Sequence, residues 1–422
     1  MTEVGFRRPL APTEKSFAQN DAFSGYVMRT VGRIDRDALR AAYSAVCQAF
    51  PVLAATLQTS DGETYLVESA DTPEPRFHEG DPDEPLTGAA MDSSRALSAL
   101  NVVGDGDESS VALMGNHSIS DGSFFLEVLT SLWSAYSAAL AGTTVDLPRR
   151  PFPKSLEELL AERGIERQSA AAPSEAPRSP APEPERVEVV QRSAQFRLTE
   201  AETTALVDLG HREHVTINGL LSGAILLAEA EVSGRPLAEF QYIFPVNIRH
   251  RFTPPVGPTE GTIVLGYIGF EVPEIAEPDA VTIGRAVGDQ LKARMSDDSL
   301  LTSFLDLAEY RSAGARAQNA EAAQDSGASA QQRGPAIISL TNWGRIPQLQ
   351  LPDDLRMTNF HSARRTKAPV GHARPTNVSR YTASTFNGRL GIEHHSPSPE
   401  EKRDSQQRLD ALSEVLRRLI KH

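Results

Sequence analysis

Cysteine is almost absent: the chain of 422 residues carries one, Cys47. A single thiol excludes an internal disulfide framework and any metal site built from several thiolates. Cys47 lies in an apolar helical pattern, which reads as a buried, inert position. Basic charge is also short, with 42 lysines and arginines against 56 aspartates and glutamates and a net charge of −14. A nucleic-acid partner needs a basic face, and an anionic membrane would repel this chain. Long apolar runs are missing as well. The longest, Gly219 to Ala230, falls short of the ~20 residues that span a bilayer, and the opening MTEVGFRRPLAPTEKSF lacks a signal-peptide core. These absences predict a cytoplasmic protein without a transmembrane segment. Phosphate-cradling glycine loops of Walker or dinucleotide-binding spacing are absent too, and Gly219-Leu220-Leu221-Ser222-Gly223 has the wrong spacing for a nucleophile elbow.

What the chain does have is core material. Its 40% hydrophobic fraction suits more than one core, and its length suits two or three domains. Residues 1–167 mix strands and helices: a strand over 23–33, a helix capped by Asp35, and a hairpin about Ser60-Asp61-Gly62. Residues 168–186, rich in Ala, Pro, Ser and Glu, read as a flexible linker or crossover. Residues 187–422 again mix strands with helices, the latter capped by Thr199 and Thr216. A hairpin turns there at Asn387-Gly388, and a closing helix covers 399–420. Neither half alternates strand and helix strictly, so the fold class is α+β, two lobes with a cleft or tunnel between them.

The stretch from Val111 to Leu140 concentrates the chemistry. A short apolar run reads as a buried strand, the hexad His117-Ser118-Ile119-Ser120-Asp121-Gly122 as a tight loop, and the remainder as a helix with Phe124, Phe125, Val128, Leu129, Leu132 and Tyr136 on one face. A histidine fixed between strand and helix can serve as a general base. Asp121 has a plain structural reading as the helix N-cap. Gly122 allows a sharp bend and places an N–H near a helix N-terminus, where anionic oxygen is favoured. Elsewhere the structural reading prevails. His211 and His214 share a solvated helix face without a third ligand, and His394 and His395 on a strand point to opposite faces. No metal or cofactor is expected. Arg364, Arg365 and Lys367 form a basic cluster read as an exposed loop.

The hexad, with Asn116 before it, resembles the HHxxxDG motif of the acyltransferase superfamily that includes chloramphenicol acetyltransferase, nonribosomal peptide condensation domains and plant BAHD enzymes. Further matches follow in order. Phe50-Pro51-Val52-Leu53 resembles an "HPVL" turn. Phe244-Pro245-Val246-Asn247-Ile248-Arg249 and Pro254-Pro255-Val256-Gly257-Pro258-Thr259-Glu260 resemble the "YPVDLR…PPVAPTE" stretch of the mycobacterial polyketide-associated acyltransferases, the phthiocerol/phthiodiolone dimycocerosyl transferase family. Ile392-Glu393-His394-His395 resembles that family's closing strand. Asn116 replaces the first histidine of the pair, at a position variable across the superfamily.

The resemblance implies two chloramphenicol-acetyltransferase-like lobes with an active-site channel between them. It implies an acyltransferase taking an acyl thioester, from an acyl carrier protein, a polyketide synthase or coenzyme A, to the hydroxyl of a small-molecule or lipid acceptor. His117 would be the base, Gly122 an oxyanion donor, and Asp121 a structural brace paired with Arg249. Asn116, Ser118, Asn342 and Trp343 are candidates for the channel wall, Trp343 equally for the core. The enzyme is expected to act as a monomer without an acyl-enzyme intermediate. Amide formation on an amine, or a non-catalytic module that holds a carrier or lipid, are the other readings.

Overall fold

The computed structural model describes residues 5–166, 185–272, 275, 278–306, 336–370, 378–396 and 401–421. The chain opens with β1 (Arg7–Pro9), α1 (Pro12–Ala18), β2 (Phe23–Val31), α2 (Arg36–Ala49), β3 (Thr56–Ser60), β4 (Glu63–Val67) and β5 (Arg76–Glu79). It continues through β6 (Ser98–Gly104), β7 (Glu108–Asn116), α3 (Gly122–Leu140), α4 (Leu156–Ala161) and β8 (Arg186–Arg197). Next come α5 (Glu200–Glu213), α6 (Ile217–Ser233), β9 (Phe240–Asn247), β10 (Leu265–Glu271) and α7 (Ala280–Met295). The described chain closes with β11 (Ala336–Arg345), β12 (Arg356–Pro369), β13 (Val378–Phe386), β14 (Arg389–Ser396) and α8 (Glu401–Leu419). The expected linker lies outside the described residues except for its last two, and Arg186 already opens β8. Among the described residues no single helix is long and apolar enough to cross a membrane.

Local chemistry sets most of these elements. Asp35 accepts the N–H groups of Asp37 and Ala38, and Thr199 and Ser155 form capping boxes with Glu202 and Glu158. Both hairpin turns use left-handed backbone at two successive positions, Asp61-Gly62 and Asn387-Gly388. β7 is buried along its length because both of its faces are covered. Val111 and Leu113 meet α2 and α3, while Ala112 and Met114 pack with Phe23, Val27 and Met91. That double cover explains an unbroken apolar run where alternation would otherwise be expected. Cys47 is buried in the same core, which pushes its thiol up to about 12.

A three-stranded sheet, β1-β4-β3, stands apart from an eleven-stranded one ordered β10-β9-β11-β13-β14-β8-β12-β2-β7-β6-β5. The long sheet serves both lobes. One core sits between the first lobe's strands and α2 and α3, a second between the other strands and α5 to α8. A third joins α1 and α4 to Ile248, Val264, Ile268 and Phe304 across the lobes. β8 makes the join: residues 192–197 pair with β14 and residues 186–191 with β12. β12 comes late in the chain yet pairs with β2 of the first lobe.

That strand corrects the reading of Arg364, Arg365 and Lys367 as an exposed loop. They lie on β12, and Arg365 is buried between Asp21 and Glu188.

Candidate active site

The histidine loop is held from beneath. Phe23 of β2 pairs with Asn116 at the end of β7, and the next residue, His117, donates its backbone N–H to Ala22 O at 2.7 Å. Asn116 Oδ1 accepts both the N–H (3.1 Å) and the hydroxyl (2.7 Å) of Ser118. Ile119 is buried in the first-lobe core. Of residues 116–121, His117 alone is not buried. Its ring stacks on Phe17 of α1, with centroids 4.2 Å apart and planes 16° from parallel. Asn116 and Ser118 are therefore not channel wall: buried and bonded to one another, they shape the loop.

Asp121 is both cap and brace, one oxygen for each. Oδ1 accepts the Phe124 N–H at 3.1 Å and so caps α3. Oδ2 accepts Arg249 Nη1 at 2.7 Å and the Val264 N–H at 2.9 Å. Both partners of the ion pair are buried, at 2% and 5% exposure. Arg249 also donates to the carbonyls of Gly257 (3.3 Å) and Pro258 (3.1 Å), so one guanidinium organises the Pro- and Gly-rich loop after β9. A second tie lies beside it, from Asn247 Nδ2 to Ser123 Oγ at 2.9 Å.

Gly122 is the first residue of α3, where an N–H has no intrahelical partner. It is not among the glycines with positive φ, so the bend does not depend on glycine's backbone freedom. What its missing side chain leaves is space. A Cβ there would lie 3.4 Å from both Trp343 Nε1 and Tyr26 Oη. Tyr26 donates its hydroxyl to Gly122 O at 2.8 Å, and burial, then the nearby Asp121 carboxylate, pushes that phenol well up, keeping it a neutral donor. Gly122→Ala is accordingly expected to fold with parental stability and, if the reacting carbonyl sits beside Gly122, to lose about 10-fold or more in turnover as the methyl crowds it. Parallel thermal melts and initial rates check this.

Trp343 of β11 is half-buried and meets Tyr26 edge-on at 4.8 Å and Phe360 at 6.0 Å, so it packs on the core while its indole edge flanks Gly122. Asn342 is exposed, bonding Asn218 and the Gly344 N–H. Tyr26, Phe17 and Asn247 escaped the sequence reading of the site. Asn247 had a signal, since it lies in the PVNIR stretch that also supplies Arg249. Phe17 and Tyr26 had none, because nothing in their spacing connects them to residues a hundred positions away.

Beyond Tyr26, at the fork where β8 changes partner, lies a polar seam. Glu393 accepts the Ser362 N–H at 3.0 Å and its hydroxyl at 2.7 Å, and burial raises its carboxyl to about 7. His395 Nε2 contacts Thr382 Oγ1 at 2.8 Å, and His394 faces the other way, bonding Ser405 of α8 at 2.8 Å. Burial, reinforced by nearby arginines, lowers both imidazoles to about 3. Between pH 3 and 6.5 the unfolded chain binds two imidazole protons that the native one refuses, so stability falls as pH drops through that window. Glu393 opposes this with one proton between its unfolded value and 7, contributing a loss of stability as pH rises. The histidines outnumber it. His394→Gln with His395→Gln should therefore flatten the acid limb of a melting-temperature–pH curve.

A cavity of about 750 Å³ on the outer side of the second lobe, bordered by Leu209, Val281 and Val415, contains none of the loop residues.

Two lobes and a shared sheet give the chain the α+β fold of condensation-domain and chloramphenicol-acetyltransferase-like enzymes, and the chain is an O-acyltransferase. Residues 187–395 match the family model described as phthiocerol/phthiodiolone dimycocerosyl transferase C-terminus. The chain is thus similar to that family of transferases over its second half. A phthiocerol/phthiodiolone dimycocerosyl transferase from Mycobacterium sp. (strain JLS) is 28% identical over 407 residues, covering 93% of each chain. The structure of polyketide synthase associated protein 5 from Mycobacterium tuberculosis superposes with a TM-score of 0.78 at 23% identity, covering 100% of each chain. The first condensation domain of the calcium-dependent antibiotic synthetase shares the fold at a TM-score of 0.66 and 12% identity, covering 99% of this chain and 96% of that one.

Proposed function

We propose that this acyltransferase carries an acyl group from a thioester, on an acyl carrier protein or coenzyme A, to the hydroxyl of a small-molecule or lipid acceptor, forming an ester. The observation that carries the reading is His117: among residues 116–121, the rest of which are buried, it alone is partly exposed, and its ring stacks on Phe17. Its imidazole takes the acceptor proton as the oxygen attacks the thioester carbonyl, then returns a proton to the leaving thiolate. The Gly122 N–H, at the positive end of α3, donates to the tetrahedral oxyanion, a contribution of roughly 3–4 kcal/mol. Asp121 and Arg249 hold the loop and do not touch substrate. Transfer in this reading is direct, without an acyl-enzyme.

Residues 1–167 and 187–422 serve as the two lobes in this reading, joined by 168–186, and the enzyme works as a cytoplasmic monomer. The deciding experiment offers one acyl thioester with matched alcohol and amine acceptors and identifies products by mass spectrometry. Ester from the alcohol supports the reading. Amide as the only product points to a condensation enzyme, and no product from a broad thioester panel points to a binding module.

A further inference from the structure

The basic cluster on β12 is not absorbed by this mechanism, and its position repays attention. Asp21 lies in the turn between α1 and β2, with left-handed backbone (φ 43°). Two cations from β12 converge on one of its oxygens: Arg365 Nη1 at 3.0 Å and Lys367 Nζ at 2.8 Å from Oδ2. Arg365 and Asp21 are both buried, and Arg365 Nη2 is also paired, with Glu188 of β8 at 2.8 Å. The backbone of the same turn is tied down too. Lys367 N donates to Asn20 O at 2.7 Å, and Arg186 Nη1 donates to Gln19 O at 2.7 Å.

One step along the chain from Asp21 is Ala22, whose carbonyl accepts the His117 N–H. Four steps back is Phe17, the ring on which the imidazole lies. The turn thus touches the base twice, by a backbone hydrogen bond and by a stacked ring, and the ion cluster is what fixes the turn. We propose that Asp21, held by Arg365 and Lys367, is a positioning residue for the His117 base. It acts through Ala22 O and the Phe17 ring and touches no substrate itself. The proposal rests on the assignment of His117 as base.

The bland alternative is that the cluster only fastens β12 to β2. The two differ in what they predict for turnover in a folded enzyme. Asp21→Asn keeps the shape and removes the charge that gathers the two cations. In the full-length enzyme, well below its melting temperature, Asp21→Asn is expected to lower kcat by about 10- to 100-fold with the donor KM within about twofold, as misplacement of a catalytic group does. The same substitution in a His117→Ala background is expected to change the residual rate by less than about twofold, because there is no base left to misplace. Equal fractional losses in both backgrounds, or an unchanged kcat in folded Asp21→Asn, would overturn the proposal. Should Asp21→Asn fail to fold, Lys367→Met removes one partly exposed cation from the same carboxylate. It should show the same pattern at smaller amplitude, and parental kcat in that variant would count equally against the idea. A His117→Ala enzyme as fast as the parent is a different failure, of the base assignment itself.

Discussion

His117→Ala is expected to lower turnover by about 10²–10⁴-fold, the usual contribution of a positioned general base, while the protein folds as before. The second half of that expectation follows from how the loop is held. Asn116 and Ser118 bond to each other, Ile119 is buried in the core, and the grip on Ala22 uses the backbone N–H of residue 117. All survive loss of the imidazole. The stack on Phe17 goes, and Phe17 keeps a near-parallel ring in Phe304, centroids 6.3 Å apart. On the proposed mechanism the loss should fall on kcat, with the donor KM little changed, because a general base works on a proton in flight and does not anchor the acyl chain. Quantified product formation alongside thermal melts measures both halves. A variant that turns over at the parental rate would leave His117 with no chemical role.

The parts of this architecture that sequence discloses are those that local rules govern. α3 could be placed because its apolar stripe and its cap lie within one stretch, and both hairpins because their turns need left-handed residues that Asp-Gly and Asn-Gly supply. β12 was opaque for the opposite reason. Its sequence, RMTNFHSARRTKAP, places one charge at a buried position, and Arg365 is tolerated there because Asp21 and Glu188 come from distant parts of the chain to meet it. No periodicity encodes a partner some 340 residues away. The site divides the same way. The roles of Asp121 as cap and Gly122 as first helical residue are written locally, whereas the pairing of Asp121 with Arg249 entered through family resemblance and not through spacing. The misreading of Asn116 and Ser118 as channel wall has a physical source as well. Polar residues beside a candidate histidine suggest a wet surface, but here Asn116 Oδ1 takes both the N–H and the hydroxyl of Ser118 and the pair is buried.

Asp121→Ala should damage the fold heavily, costing about 3–5 kcal/mol as a buried ion pair loses one member. Three donors lose their acceptor at once: the Phe124 N–H, the Val264 N–H and Arg249 Nη1. Arg249→Ala should be at least as severe, and the reason lies in the asymmetry of the pair. Without Asp121 the guanidinium keeps the Gly257 and Pro258 carbonyls. Without Arg249 the buried carboxylate keeps only two backbone N–H groups, and the loop after β9 loses the guanidinium that binds its Gly257 and Pro258 carbonyls. Removing both should cost less than the sum of the single losses, since each single change includes the penalty of a stranded charge that the double variant avoids. Denaturant midpoints for the four members of the cycle give the coupling directly. Additive losses would mean that the pair contributes no more than two independent contacts. A folded Asp121→Ala enzyme that is inactive yet as stable as the parent would move Asp121 from the frame of the site into its chemistry.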